Sequence, residues 1–308
     1  MDSSMSAVAH WDDMEVFHDE AGPIRSDWTL LAEESGAVNV AANRVAVPAG
    51  CAATPQPAED EEVFYVLGGS GWSVQEDGCF AIRAGDFVHY TSGQPAHTVV
   101  AGDDGLTFIA FSAEAKAPQV RFPRISRVRV GGLVVEGEDV NQWEIEGKLD
   151  RVAVTEPADP RPKTIVNLDE FPPFEFDRGP ARARARFVAR ALGMRTVALN
   201  HAEILPGGEA APLHCHSHEE ELFVVLEGDG LLLLGNDEEE HPVRAGSVVS
   251  RPAGSGVAHA FRAGKQGMTM LMFSDKHPGD TVYYPRSGKI TLRGLGVTVQ
   301  PEIVPWGD

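Results

Sequence analysis

The strongest constraint in this sequence is an internal repeat. EEVFYVLGG at residues 61–69 returns as EELFVVLEG at 220–228, and RAGDFVHYTSGQPAH at 83–97 returns as RAGSVVSRPAGSGVAH at 244–259. VAVPAG, ending at Gly50, matches AEILPGG, ending at Gly208, and RFPRISRVRVGGLVV (121–135) matches YYPRSGKITLRGLGV (283–297). The offset runs from 158 residues (Gly50 to Gly208) to 162 (Val135 to Val297), a drift that small loop insertions produce. One long-period duplication means two copies of a domain; a solenoid would repeat every 20 to 50 residues or so. A chain of 308 residues suits two domains of about 150 each. The expected division is 1–158 and 159–308, with the charged, proline-rich stretch 136–165 as the connection.

Each copy is written in short β-type runs. In the first these are VNVAANRVAV, VFYVLGG, GWSVQEDG, CFAIRAGDFVHY, HTVV and LTFIAFS, each bounded by Gly, Pro, Asp or Asn. That punctuation predicts an all-β meander or sandwich. Helical patterning is confined to WTLLAEESG (28–36) and RFVARALGM (186–194), room for one short helix each. Residues 1–35 are polar and mixed, with Trp11, Phe17 and Trp28 as docking points.

A formal charge of −20 excludes nucleic acid and anionic membrane as partners, because phosphate recognition needs clustered Lys and Arg. The local basic runs, Arg182, Arg184 and Arg186, and Arg127 with Arg129, alternate as on one face of a strand and read as solvated edges. Three cysteines, Cys51, Cys79 and Cys215, imply no disulfide framework. With no signal-peptide-like start and no long apolar run, a cytoplasmic setting is expected.

Chemistry concentrates in Gly208–Gly228, GEAAPLHCHSHEEELFVVLEG. On a strand, His214 and His216 project from one face, about 7 Å apart, and can converge on one ion. Ser217–Glu220 suit a bend, after which Glu221 can rejoin that face. Imidazole nitrogens with a carboxylate oxygen suit zinc, iron(II) and similar metals. Glu220 is the alternative carboxylate if the bend is one residue shorter. His218 belongs to the rim, and Cys215 should point to the opposite face, into packing.

The second copy resembles the cupin family of double-stranded β-helix barrels. Gly208, His214, His216, Glu221 and Gly228 fit its first motif, and Gly246, Pro252 and Gly254 fit its second. His259 comes two residues later than the second motif asks, and the Asn that usually follows is missing. The resemblance implies two jelly-roll barrels in tandem and a divalent metal held by His214, His216, Glu221 and His259. In the first copy Thr54-Pro55-Gln56-Pro57-Ala58 stands where the paired histidines belong, leaving Gln56, Glu62 and His97 as a degenerate site. One divalent transition metal per chain (Fe, Mn, Ni or Zn) is therefore expected. His89 reads as a core or rim histidine.

The function expected is that of a metal-dependent small-molecule enzyme with its active site in the second barrel, dioxygenase chemistry coming first. The competing expectation is a non-catalytic ligand-binding or storage-type protein with a structural or ligand-capturing ion. A substrate pocket is expected around His218, Phe223 and Phe261. Room there favours catalysis, and a sealed ion favours structure. The partner expected is a small molecule, and edge strands of the terminal arms are compatible with a homodimer.

Overall fold

The computed structural model describes residues 7–58, 60–113, 119–122, 127–130, 133–135, 145 and 147–302. Residues 136–144 of the expected connection, and the side chains of Arg127 and Arg129, lie outside what is described.

The fold is all-β, in two halves of the same design. The first sheet runs, in spatial order, Ile165–Asn167, Asp86–Tyr90, Glu62–Gln75, Gln94–Ala113, Val40–Val47, Ile24–Leu30 and Val16–Ala21. The second runs Ala9–His10, Ser247–Arg251, Glu221–Leu234, His259–Asp275, Val197–Ile204, Ala181–Arg186 and Phe174–Arg178. The side strands Gly78–Arg83 and Glu239–Arg244 pair with the two long central strands. Short sheets complete the halves: Gln119–Phe122, Arg127–Val130 and Leu133–Val135 in one, and Cys215–His216, Thr281–Tyr284, Lys289–Leu292 and Val297–Val299 in the other.

The repeat reaches further back than its most similar stretches. Gly22-Pro23 turns a hairpin ahead of the helix Leu31–Glu34, and Gly179-Pro180 does the same ahead of Val188–Leu192. Both helices fall inside the two stretches where helical patterning was read.

The apolar run at the centre of each half is continuous because both faces of the strand are covered. Val63 and Tyr65 alternate with Phe64 and Val66, and Leu222 and Val224 with Phe223 and Val225. The first member of each pair of sets faces a core shared by the two barrels, and the second fills its own barrel. In the shared core, Phe111 and Phe273 stack at 4.9 Å, a contact worth about 0.5–1.5 kcal/mol beyond burial.

Two exchanges tie the halves together. Ala9–His10 joins the sheet of the second barrel by pairing with Ser247–Arg251, while Ile165–Asn167 joins the first by pairing with Asp86–Tyr90. Glu220 accepts backbone N–H bonds from Val38, Asn39 and Val40 (2.5–3.2 Å), and Glu61 accepts those of Arg195 and Thr196 (2.6–2.9 Å). Each carboxylate thus clamps the other barrel's chain where it enters the strand. Glu61 also meets His89 Nε2 at 3.2 Å, which makes His89 a buried packing histidine. Glu220 is committed to this clamp and supplies no free carboxylate to the histidine cluster.

Among the described residues no helix is long and apolar enough to cross a membrane. The basic alternation is an edge in part: Arg184 pairs with Glu175 at 3.1 Å, whereas Arg186 turns inward to Glu203 and the Phe171 carbonyl.

Candidate metal centre

In the second barrel, the short strand carrying His216 and the long strand beginning at His259 meet beside each other. His214 and His259 form a two-way backbone bridge, N–H to carbonyl at 3.1 and 2.7 Å. Residues opposed in this way direct their side chains to one face. Glu221 opens the central strand, after Ser217–Glu220 have turned the chain. Gly228, further along, takes φ +78°, where a Cβ would run into the Gly267 carbonyl. The glycine lets the strand bulge and bend over the barrel.

The four side chains converge. Glu221 Oε2 lies 2.9 Å from His259 Nε2, 3.4 Å from His216 Nε2 and 3.8 Å from His214 Nε2. Donors on adjacent vertices around a transition metal with bonds near 2.1 Å stand about 3 Å apart. His216 Nε2, His259 Nε2 and Glu221 Oε2 are all buried without a well-directed hydrogen bond among the described residues. Buried polar atoms left unmatched in this way are uncommon, and a shared ion satisfies them together.

The tautomers are fixed from behind. His216 Nδ1 donates to Asp280 Oδ2 at 2.7 Å, and His214 Nδ1 donates to the Pro212 carbonyl at 2.7 Å. Both bonds leave Nε2 as a lone pair aimed at Glu221, the orientation a ligand needs. Asp280 is itself anchored: its Oδ1 accepts the backbone N–H groups of Ser217 and His218 at 3.1 and 3.0 Å, and Arg293 stands 3.4 Å from Oδ2.

Electrostatics follow from this packing. Burial pushes the Glu221 carboxyl up, but the hydrogen bond and charge of His259, then His216 and His214, pull it far below the carboxylate range. Burial, with His259 alongside, drops His214 to about 4. For His216 burial is outweighed by the hydrogen bond to Asp280, so its proton is held above the ordinary imidazole value. Asp280 is lowered, burial being overcome by His216 and the N–H groups around it.

A narrow space beside His216, Glu221 and His259, too tight for a water molecule, is walled also by Cys215, Arg251, Pro252, Ser255 and Val257. His218, Phe223 and Phe261, expected to surround a substrate pocket, do not line this space. Phe223 and Phe261 are buried in the barrel core with ring centroids 4.7 Å apart, Phe223 packing edge-on against His259. They share the inward face of the strands with the donors but lie deeper. His218 stacks on His277 at 4.5 Å and bonds Ser217, outside that wall. Cys215 packs against Leu233, Ala258 and Ala260 while forming part of the wall, and burial raises its thiol pKa, with Asp280 adding to the effect.

The first barrel repeats the backbone and changes the side chains. Gln56 stands opposite His97 as His214 does opposite His259, and Ala58 follows where His216 would be. Glu62 reaches His97 at 3.1 Å and Gln56 at 3.5 Å, so Gln56, Glu62 and His97 do come together. Tyr90, fully buried, lies flat on His97 at 3.7 Å and bonds Ser73 at 2.9 Å, filling the space between them.

Asp280, the Pro212 carbonyl, Arg293 and Arg251 escaped the sequence reading. Only Arg251 had a signal, since the repeat sets it against Tyr90.

Residues 200–275 match the family model described as the Cupin domain. No curated protein matches the sequence. Solved structures of similar shape include the Lactobacillus farciminis oxalate decarboxylase formate complex, at TM-score 0.60 and 16% identity over 90% of this chain and 88% of that one. A Bacillus subtilis oxalate decarboxylase studied for its Mn(II) centres matches at TM-score 0.60 and 16% identity, over 91% of this chain and 80% of that one. The second half is a cupin domain, and the chain as a whole has the fold of two cupin-type barrels in tandem.

Proposed function

We propose that this protein is a mononuclear metal-dependent enzyme that acts on a small molecule, with its centre in the second barrel. The observation that carries the reading is the convergence of three imidazole nitrogens on Glu221 Oε2, with two tautomers locked to face it. His214, His216, His259 and Glu221 would hold one divalent ion, of iron, manganese, nickel or zinc. Such an ion supplies Lewis-acid or redox chemistry, and four protein ligands leave room in its coordination shell for a substrate. The chain's part is to fix the donors and hold Asp280 behind His216.

The Mn(II) centres and the oxalate decarboxylase activity named for the similar structures support a manganese-dependent reaction of a small acid. Oxygen-dependent cleavage is the alternative chemistry of the same centre. The second reading, a structural or ligand-capturing ion, is favoured by one observation. The space beside the donors is too tight for a water molecule, far below the roughly 300–1,000 Å³ of pockets for drug-sized ligands.

The test is to load the protein with Mn(II) or Fe(II) and screen oxalate, small hydroxy acids and small diketones for carbon dioxide release and oxygen uptake. Turnover that disappears in Glu221→Ala supports the enzyme. No turnover with any of them, together with unfolding on chelation, supports the structural ion.

A further inference from the structure

Among the described residues Arg251 is a cation without a counterion. Arg161 is matched to Asp86, Arg186 to Glu203, Arg286 to Glu209 and Arg293 to Glu219, and Arg44 lies over the Trp11 ring. Arg251 forms no hydrogen bond or ion pair among the described residues, and its Nε is buried with no partner. Burial weakens its charged form, and only the more distant field of Glu221 acts against this. A buried guanidinium N–H left unmatched is costly unless a ligand completes it.

Its position says which ligand. Arg251 pairs directly with Glu221 across the ladder, so the two side chains share a face. It lines the same narrow space as His216, Glu221 and His259. Three neutral imidazoles and one carboxylate around a divalent ion give a net charge of +1, and Arg251 raises the local charge to +2. The guanidinium fork matches a carboxylate in shape as well as charge. In the first barrel Tyr90 takes this place, opposite Glu62.

We propose that Arg251 is the specificity-determining residue of the centre, selecting a small carboxylate anion that binds at the metal beside it. This rests on the metal-centre reading above and names the substrate class for it.

Isothermal titration of the manganese-loaded protein with acetate, oxalate, neutral acetamide and inorganic sulfate tests it, with metal content measured in every sample. The wild type should bind oxalate and acetate in preference to acetamide and sulfate. Arg251→Gln should keep the wild-type metal content and folded spectrum yet bind the carboxylates about 10- to 100-fold more weakly, the loss expected for a charged hydrogen-bond pair. Arg251→Lys, which keeps the charge and loses the fork, should fall between, and it decides the question alone if Arg251→Gln does not fold. Equal carboxylate binding in wild type and variant would overturn the proposal. So would wild-type binding of acetamide or sulfate as tight as acetate, or no carboxylate binding at all. If the wild type takes up no metal, the metal-centre reading fails by itself. The same comparison on metal-free protein then still decides the role of Arg251.

Discussion

The two barrels set the same backbone positions in the same register and fill them oppositely. Opposite the second-motif histidine stands Gln56 in one and His214 in the other; two residues on stand Ala58 and His216; across from the glutamate stand Tyr90 and Arg251. In the first barrel the Tyr90 ring on His97 turns the old mouth into core. In the second the same place is ringed by the buried polar atoms His216 Nε2, His259 Nε2 and Glu221 Oε2. The difference shows that the strand scaffold stands without the ion, since one copy keeps every strand of the design with its centre filled by aromatic packing. The proposal that the second copy's donors serve chemistry rests on the same contrast, because the fold does not require them.

The sharpest way to break this comparison is to remove the carboxylate from each side. Glu221→Ala should abolish metal retention in elemental analysis, and Glu62→Ala should leave it unchanged. Metal lost equally from both would mean that the first barrel also contributes a site.

Next in size is the plug. Tyr90→Ala should destabilise the chain by about 3–5 kcal/mol in denaturant unfolding without altering metal content. A loss below about 1 kcal/mol would show that Tyr90 is a lid over usable space rather than core.

A third contrast lies on the strands Val40–Val47 and Val197–Ile204, where Arg44 and His201 occupy matching places. Arg44 sits over the Trp11 ring at 5.3 Å. Burial, with Arg186 nearby, drops His201 to about 4. Because the folded value is depressed below the ordinary 6.5, the unfolded chain takes up the proton first as pH falls. The stability this neutral histidine contributes is complete above about pH 6.5 and is lost on descent to pH 4, about 3 kcal/mol in all. His216, raised by Asp280, titrates in the opposite sense, so the difference between wild type and His201→Gln isolates His201. That difference should grow as pH rises from 4 to 6.5, and a flat difference would refute the assignment.

The smallest effect concerns the group behind the ligand. Asp280→Asn should lower metal affinity about 10- to 100-fold in a competition titration, with folding retained. Unchanged affinity would mean that His216 is oriented by packing alone.

The duplication and the β pattern were legible in the sequence because two long strands repeat with their glycines, while the paired barrels and the set of four donors followed from the resemblance to the cupin motifs. The hairpins at Gly22-Pro23 and Gly179-Pro180 carried the same signal and were passed over because their flanking strands differ in composition. Strand exchange was not legible: Ala9–His10 is two residues long, and a run that short has no period. Phe223 and Phe261 were read as pocket because they follow the donors on one face, but period two cannot say how deep along the barrel a side chain sits. Asp280 reaches His216 from 64 residues downstream, out of a turn whose sequence has no pattern of its own. His218 follows His216 by two residues and is carried off the common face by the bend.

The central claim is that one barrel of the two holds an ion. It is tested most directly by counting divalent metal per chain in protein purified without a metal-affinity column, alongside His216→Ala. The account predicts one ion per chain in the wild type, none in the variant, and the same β spectrum in both. Two ions per chain, or one that persists in His216→Ala, would contradict it.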